Sequence, residues 1–360
     1  MVVGARPNFM KAAPLAEALQ ARGRMQASLV HTGQHFDDNM SQVFFDELGL
    51  PEPDTYLGIH GGSTADQIGR TILALDELYS QERPDAVVVF GDVNATLAAA
   101  VAANKLDIFL AHVEAGLRSF DRSMPEEHNR VVTDMLSDLL LTPSPDADEN
   151  LRREGIPEER IMRVGNIMVD SLLRFKGRAE EKEAWVKFGV EPGSYGLVTL
   201  HRNFNVDDPS KLAELVEGLV ALQQEIPLLF PAHPRTLKQL QQHKLGDRLA
   251  EAGLRMLDPL GYLDFLSLMT RAKFVLTDSG GIQEESTVLG VPCLTARDNT
   301  ERPITIETGS NRLVGSTAEG IFGGFKAIQK SARKPVQPDL WDGHTAERIE
   351  EALAAALGLP

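Results

Sequence analysis

The chain has 360 residues, 42% of them hydrophobic and 24% charged, as in soluble globular proteins, and it is long enough for two domains with a core each. Its formal net charge of −16 argues against non-specific nucleic-acid binding, which needs a basic face, although a local basic pocket can still hold an anionic ligand. No apolar run approaches the length of a membrane span, and the single cysteine, Cys293, cannot form an intrachain disulfide, which favours a reducing compartment.

Residues 1–3 read as the tail of a strand and residues 4–8 as the turn after it. That first strand looks clipped, so it is either short or begins upstream. The chain opens almost at once on this turn, with no signal-peptide pattern, and a cytoplasmic protein is expected. Helical periodicity follows over 9–19, a strand over 28–32, a helix over 40–48, and a long helix opened by Gly61, Gly62 and Ser63 that runs to about Leu78. The fully apolar run 86–90 reads as a parallel strand buried on both faces, and the small-residue helix 95–103 after it can pack closely on a sheet. A strand over 108–113, a helix over 125–139 with Pro125 at its start, and short strands over 140–142 and 162–164 complete a first β/α alternation.

A helix over 166–175 leaves this unit, and a fresh strand over 195–200 begins a second alternation. Its later parts are a helix over 212–222, a strand over 228–230, a helix from Arg235, a strand over 255–257 and a helix over 263–269. A strand over 273–277, a Gly-rich turn with its helix, strands over 291–296 and 312–314, a helix over 318–328 and a last amphipathic helix over 345–357 follow. The expected fold class is α/β: two doubly wound Rossmann-like domains, 1–165 (joined by the C-terminal helix 345–360) and 166–344, with an interdomain cleft facing the carboxyl ends of the strands.

The most informative stretch is Thr277-Asp278-Ser279-Gly280-Gly281-Ile282-Gln283-Glu284-Glu285. It reads as strand, Gly-rich turn, helix N-terminus. Such a turn aims unpaired N–H groups and the positive end of a helix dipole at one spot, and glycine lets a bulky anion approach, so a phosphate or diphosphate is expected there. The plainer alternative is a strand-to-helix turn with Ser279 as N-cap. Asp92 and Glu114 each end an apolar strand, where an acid is costly unless paired or used. Glu126 sits in the first turn of a helix, which is also ordinary dipole chemistry. His201 and Arg202 end a strand together and suit a phosphate or proton-transfer site, whereas His233, between Ala232 and Pro234, reads equally well as a satisfied turn histidine. Arg6 and Lys11 follow the first strand; Arg6 precedes Pro7 in the first turn, where an exposed turn arginine is the plainer alternative. No cluster has metal-ligand spacing, and neither a P-loop nor a dinucleotide fingerprint is present, so no metal and no nicotinamide cofactor are expected. The residues alone suggest a nucleotide-sugar enzyme.

These residues also stand in ordered blocks. They are Gly4-Ala5-Arg6-Pro7-Asn8-Phe9-Met10-Lys11, Thr32-Gly33-Gln34-His35, Gly91-Asp92, 112–118, Pro125-Glu126-Glu127 with Asn129-Arg130, Val164-Gly165-Asn166, His201-Arg202, 276–285 and 297–303. Taken together over nearly the whole chain, they resemble the non-hydrolysing UDP-N-acetylglucosamine 2-epimerases. The resemblance implies a fold like that of B-type glycosyltransferases, usually as a homodimer. It also implies interconversion of UDP-N-acetylglucosamine and UDP-N-acetylmannosamine by anti elimination of UDP to 2-acetamidoglucal and syn re-addition. That chemistry demands two positioned acid/base groups, stabilisation of the departing diphosphate and exclusion of water.

By the same resemblance Asp92, Glu114 and Glu126 match the family's catalytic carboxylates and His201 its active-site histidine. Arg6 and Lys11 match residues near the diphosphate and the acids. Ser279, Gly280 and Gly281 fall in the diphosphate cradle, Glu285 at the ribose contact and Arg302 at another substrate contact. Gln34, His35, Arg70 and His233 match a second, allosteric substrate site of bacterial members, from whose pattern Phe36-Asp37 and Asn203 depart. The alternatives are a 2-epimerase of a UDP-2,3-diacetamido sugar acid, a UDP-sugar glycosyltransferase of the same fold, and a catalytically idle UDP-sugar sensor.

Overall fold

A computed structural model describes residues 1–33, 52–330 and 337–360, and the helix expected over 40–48 lies outside them. The chain divides into two compact units, Met1–Ser171 with Asp339–Pro360, and Leu172–Pro338. The expected boundary, 165/166, precedes the helix Ile167–Glu181; the division into units falls inside that helix.

The first unit carries β1 (Val2–Val3), β2 (Val30–His31), β3 (Thr55–Tyr56), β4 (Ala86–Phe90), β5 (Phe109–Val113), β6 (Leu139–Thr142) and β7 (Ile161–Arg163). Among the described residues they form one seven-stranded sheet in the order β3-β2-β1-β4-β5-β6-β7, with every pairing parallel. Residues 87–90 and 110–113 are buried without alternation, as strands covered by helices on both faces must be. The helix Asn94–Lys105 packs against both Thr64–Glu82 and Pro125–Leu136. It can do so because Ala98, Ala99, Ala100 and Ala103 are fully buried and small enough for close approach. The helix Arg6–Arg22 pairs instead with the C-terminal helix Thr345–Ala356, and Arg24 grips Glu350 on the latter.

The second unit carries β8 (Gly196–Thr199), β9 (Leu228–Pro231), β10 (Arg255–Leu257), β11 (Phe274–Thr277), β12 (Cys293–Thr295) and β13 (Asn311–Leu313). They form a six-stranded parallel sheet in the order β10-β9-β8-β11-β12-β13. Its core includes Val198, Leu215, Leu219, Leu228, Phe230, Phe274, Leu276, Leu294, Ile321 and Phe325. Each unit is therefore doubly wound, and in each the strand order reverses beside the first strand, between β1 and β4 and between β8 and β11. Ligands of open α/β sheets bind outside the carboxyl ends of the strands at such reversals.

Several boundaries differ from expectation. The first helix starts at Arg6, not at residue 9. Pro7 suits a first helical turn, and Asn8 Oδ1 accepts from the backbone N–H groups of Gly4 and Ala5 at 3.2 and 3.1 Å, so the apparent turn is a helix start. The helix expected over 125–139 stops at Leu136, because the Asp138 carboxylate and backbone N–H both bond to Leu110, and β6 begins at Leu139. The strand β3 and the helices Pro145–Arg153 and Asn203–Val206 were not anticipated.

Candidate active site

In the first unit the reversal of strand order gathers Asn8, Lys11, Gly91, Asp92 and Glu114. Asn8 Nδ2 donates to the Phe90 carbonyl at 3.0 Å, tying the first helix to the end of β4. Lys11 and Glu114 are both buried and form an ion pair. That pair sits over Gly91: a Cβ built there would lie 2.9 Å from Lys11 Nζ and 3.8 Å from Glu114 Oε2, and the glycine φ is +61°. Only glycine meets both demands without strain. Glu114 itself has φ +74°, a left-handed conformation costly for a residue with a side chain. Its N–H donates to the Leu141 carbonyl at 3.0 Å, which holds the turn and presents the carboxylate to Lys11.

Asp92 pairs with Arg130, whose other nitrogen Nη1 lies 2.8 Å from Glu127 Oε2. Glu127 also accepts from the Ser119 N–H and hydroxyl and from the Phe120 N–H, each at 2.9 Å. Asn129 Nδ2 donates to the Asp92 carbonyl at 2.9 Å. The acid at 92 is thus clamped by the helix Pro125–Leu136. In the same first turn Glu126 is half-buried, while the fully engaged neighbour is Glu127. Behind this layer His112 Nδ1 lies 2.6 Å from Asp134 Oδ1, and His112 Nε2 lies 2.8 Å from the Gly91 carbonyl. Arg118 Nη1 stands 2.7 Å from Asp134 Oδ2 and its Nη2 2.6 Å from Glu154.

In the second unit Asp278, fully buried at the end of β11, accepts from the backbone N–H groups of His201 (3.1 Å) and Arg202 (2.9 Å) and from Asn205 Nδ2 (3.2 Å). Burial works to raise its carboxyl, but His201 and the donors of Arg202 and Asn205 hold it below the ordinary carboxylate value. His201 Nδ1 lies 3.1 Å from Asp278 Oδ1. An ionised carboxylate accepts only, so it selects the tautomer protonated at Nδ1 and leaves Nε2 as the atom able to take up a proton.

Ser279 occupies the N-cap position of the helix Gly280–Leu289 but makes no capping bond with its side chain. The plain alternative is therefore only half met: the residue caps by position and its hydroxyl does not satisfy the helix N–H groups. A Cβ on Gly280 would come within 2.6 Å of Glu301 Oε1, whereas one on Gly281 would meet nothing within 4 Å. The backbone at 281 faces open space, as an anion cradle requires. Arg302 Nε lies 2.6 Å from Glu284 Oε1, and Arg297 Nη2 lies 2.7 Å from Glu301 Oε2. Glu285 is buried, accepts from the Tyr262 hydroxyl at 2.9 Å, and is pushed up to about 7 by burial, with Glu284 adding to the rise. Beside Tyr262, at the end of β10, a cavity of about 550 Å³ is lined by Met256, Leu257, Pro259, Leu260 and Gly261, with Lys187 and Asp264 at hand.

Lys11, Asp92 and Glu114 come together, as do His201, Ser279 and Gly280 at the other reversal. The side chain of Arg6 and all of Gln34 and His35 lie outside the described residues. Arg70 is occupied by Asp66 at 2.9 Å and by the carbonyls of His60 and Gly61 at 3.1 and 2.8 Å. His233 caps its own helix, Nδ1 accepting from the Arg235 N–H at 3.2 Å, and its ring lies 5.9 Å from that of His201. Sequence reasoning missed Asn8, Arg130 and Glu127 as site-building groups. Their signal was faint: each is a polar residue within a helix, and Asn8 and Arg130 reach Phe90 and Asp92, partners 82 and 38 residues away. Among the described residues no group of three or more His, Cys, Asp or Glu side chains is arranged to hold a metal ion, and no helix is long and apolar enough to cross a membrane.

The family model described as UDP-N-acetylglucosamine 2-epimerase matches residues 17–354. The chain is 42% identical over 359 residues to the UDP-N-acetylglucosamine 2-epimerase of Methanocaldococcus jannaschii, covering 98% of each chain. It is 41% identical, again over 98% of each, to the UDP-2,3-diacetamido-2,3-dideoxy-D-glucuronate 2-epimerase of Pseudomonas aeruginosa. A crystal structure of the M. jannaschii enzyme in complex with UDP-GlcNAc and UDP superposes with a TM-score of 0.90 at 41% identity over 98% of both chains. A family match over nearly the whole length and relatives 41–42% identical over 98% of each chain place it: the chain belongs to the UDP-N-acetylglucosamine 2-epimerase family.

Proposed function

We propose that the protein reversibly epimerises UDP-N-acetylglucosamine at C2 to give UDP-N-acetylmannosamine, by anti elimination of UDP to 2-acetamidoglucal and syn re-addition. The observation that carries this reading is the pair of carboxylates ending neighbouring strands, Asp92 and Glu114, each with a cation of its own in Arg130 and Lys11. Two acids with separate cationic partners suit proton transfer on two faces of one carbon. Glu126, half-buried in the adjacent helix turn, is the third carboxylate of this set. In the second unit Ser279, Gly280 and Gly281 cradle the diphosphate at the helix N-terminus, Glu285 accepts from the ribose, and Arg302 adds positive charge. His201, its tautomer set by Asp278, serves the departing or returning diphosphate. Arg6 is assigned to the diphosphate as well. No cofactor takes part.

A homodimer in the cytoplasm, supplying N-acetylmannosamine units for cell-surface polysaccharide, is the setting we infer. Large apolar side chains exposed on two helices that flank Asn94–Lys105, namely Leu73, Val132 and Met135, support a subunit contact there. The assignment of Gln34, His35, Arg70 and His233 to an allosteric substrate site is kept as part of the proposal. Arg70 would first have to exchange its bonds to Asp66, His60 and Gly61 for the ligand.

One observation favours a second reading, the 2-epimerisation of a UDP-2,3-diacetamido sugar acid: the Pseudomonas aeruginosa relative of that activity is 41% identical, against 42% for the Methanocaldococcus jannaschii enzyme. Proton NMR in D2O tests both. Deuterium entering C2 of UDP-N-acetylglucosamine, together with a new UDP-N-acetylmannosamine signal, is the expected result. If exchange occurs only with the diacetamido uronate, the second reading replaces the first. If neither sugar exchanges while UDP binds, the epimerase reading fails.

A further inference from the structure

We propose that Gln283 and Glu284 are positioning residues that tie Arg302 to the glycine cradle, one through the arginine backbone and one through its guanidinium. The proposal rests on the reading of Arg302 as a positive charge beside the diphosphate. The helix Gly280–Leu289 carries the cradle at its start, and residues 283 and 284 stand one turn on, both buried. Arg302 comes from a different segment, the loop that follows β12. Its place relative to the cradle is therefore set by contacts between that loop and this helix. The first tie is a chain of hydrogen bonds. Gln283 Nε2 donates to the Ser279 carbonyl at 3.3 Å, and its Oε1 accepts from the Thr300 hydroxyl at 2.7 Å. Thr300 Oγ1 in turn accepts from the Arg302 N–H at 3.0 Å. The hydroxyl gives its one hydrogen to Gln283 and takes one from Arg302, so the chain runs unbroken from the cap of the cradle to the arginine backbone.

The direction of every bond in this chain is fixed by its neighbours. Thr305 gives its hydroxyl hydrogen to the Arg302 carbonyl at 2.7 Å, so toward Asn311 Nδ2, 3.0 Å away, it accepts. Asn311 Nδ2 also donates to Gln283 Oε1 at 3.0 Å. A flipped Gln283 amide would set two N–H₂ groups against each other, so Oε1 is the atom that meets Thr300. Arg302 is thereby held at its N–H and at its carbonyl. The second tie is ionic: Arg302 Nε lies 2.6 Å from Glu284 Oε1, and both side chains are buried. An arginine on its long stem can place its charge in many spots. Buried against an acid that belongs to the cradle helix, it is confined to one. A diphosphate is stabilised by charges and N–H groups already standing at the right distances. One helix supplies both here, the cradle by its first N–H groups and the arginine by the two side chains one turn later. Gln283 and Glu284 act through Arg302.

The test is a set of double-mutant cycles on the full-length protein, read by calorimetric binding of UDP, with uridine as the ligand that lacks phosphate. Arg302→Met and Glu284→Gln should each weaken UDP by about tenfold, the loss of a charge-assisted contact. Thr300→Val, which cuts the chain between Gln283 and Arg302, should weaken it by roughly threefold. Uridine affinity should stay at the wild-type value in all three. In the Arg302→Met background neither Glu284→Gln nor Thr300→Val should weaken UDP further, because each acts through the arginine. If Glu284→Gln does not fold, the Thr300→Val cycle decides, since that change leaves the ion pair in place. Equal losses for UDP and uridine, or losses that persist in the Arg302→Met background, would show a merely structural role and overturn the proposal. If Arg302→Met weakens UDP while the other two do not, the proposal fails and the reading of Arg302 stands. If Arg302→Met leaves UDP affinity unchanged, that reading fails and the proposal with it. None of these outcomes depends on turnover, so a failure to epimerise registers separately.

Discussion

Tyr262 donates its hydroxyl to Glu285 Oε1 at 2.9 Å, and the carboxyl it meets is pushed up to about 7 by burial, with Glu284 adding to the rise. An acid whose folded value lies above its unfolded value binds its proton more tightly when folded. Its contribution to stability is fully present below the ordinary value of 4.5 and is lost as pH rises through about 7. A thermal-unfolding series from pH 4.5 to 8 should therefore show a downward slope that Glu285→Gln flattens. Ribose hydroxyls are donors and favour the ionised form, so UDP binding near neutral pH should release a proton. Calorimetry in buffers of different ionisation enthalpy reads that release. If Glu285→Gln releases as much as the wild type, the ribose assignment is wrong.

Asp92→Asn and Glu114→Gln should both lower kcat by about a hundredfold or more with UDP affinity retained, as loss of a general acid or base does. Their effects on stability should differ. Arg130 keeps Glu127 when Asp92 loses its charge, so that variant should unfold near the wild-type temperature. Lys11 is buried against Glu114, and neutralising Glu114 strands an ammonium at a cost of about 3 kcal/mol. Equal melting temperatures for the two variants would show that the Lys11–Glu114 pair is not the buried anchor described here. Unchanged turnover in both would sink the acid/base assignment.

The folded structure explains why some of this was legible in the chain and some was not. The runs 86–90 and 274–276 are apolar because both their faces are covered, and that leaves a mark in sequence that no surface strand leaves. The two-residue β3, Thr55–Tyr56, is half-exposed and carries no such mark. The helix Pro145–Arg153 buries the polar Asp148 and Asn150 beside Ala147 and Leu151, so its buried face shows no apolar stripe. At the site, Asp92 and Glu114 were visible because an acid at the end of an apolar strand is anomalous. Their partners were not, because Arg130 reaches Asp92 across 38 residues by way of the sheet order. His112 hid inside the strand it belongs to. It interrupts the apolar run 109–113, and a polar residue in a doubly covered strand was the available signal.

Asp278→Asn probes how the second sheet joins its two central strands. Asp278 accepts from two backbone N–H groups beyond β8 and from Asn205. Asparagine keeps one acceptor oxygen and turns an amide N–H₂ toward donors. The buried N–H left unmatched should cost about 2 kcal/mol or more, with a clear drop in melting temperature. The tautomer of His201 should also be released, and the pH profile of kcat should change with it. A variant as stable as the wild type, with an unchanged profile, would remove Asp278 from the account of the site.

The two glycines of the cradle separate folding from binding. Gly280→Ala places a methyl group 2.6 Å from Glu301 Oε1, inside a buried ion pair with Arg297, so the neighbour must move and the protein should be destabilised by about 1–3 kcal/mol. Gly281→Ala meets nothing within 4 Å, and position 281 lies in the helix Gly280–Leu289, where alanine is the better helix former. That variant should be as stable as the wild type or slightly more so. Its methyl group would nonetheless stand where a diphosphate must approach the backbone, so UDP should bind about tenfold more weakly. The paired result, one variant losing stability and the other losing affinity, is what an anion cradle built on this turn requires. If Gly281→Ala binds UDP as tightly as the wild type, the phosphate does not approach the helix at that residue, and the open space there serves some other part of the ligand.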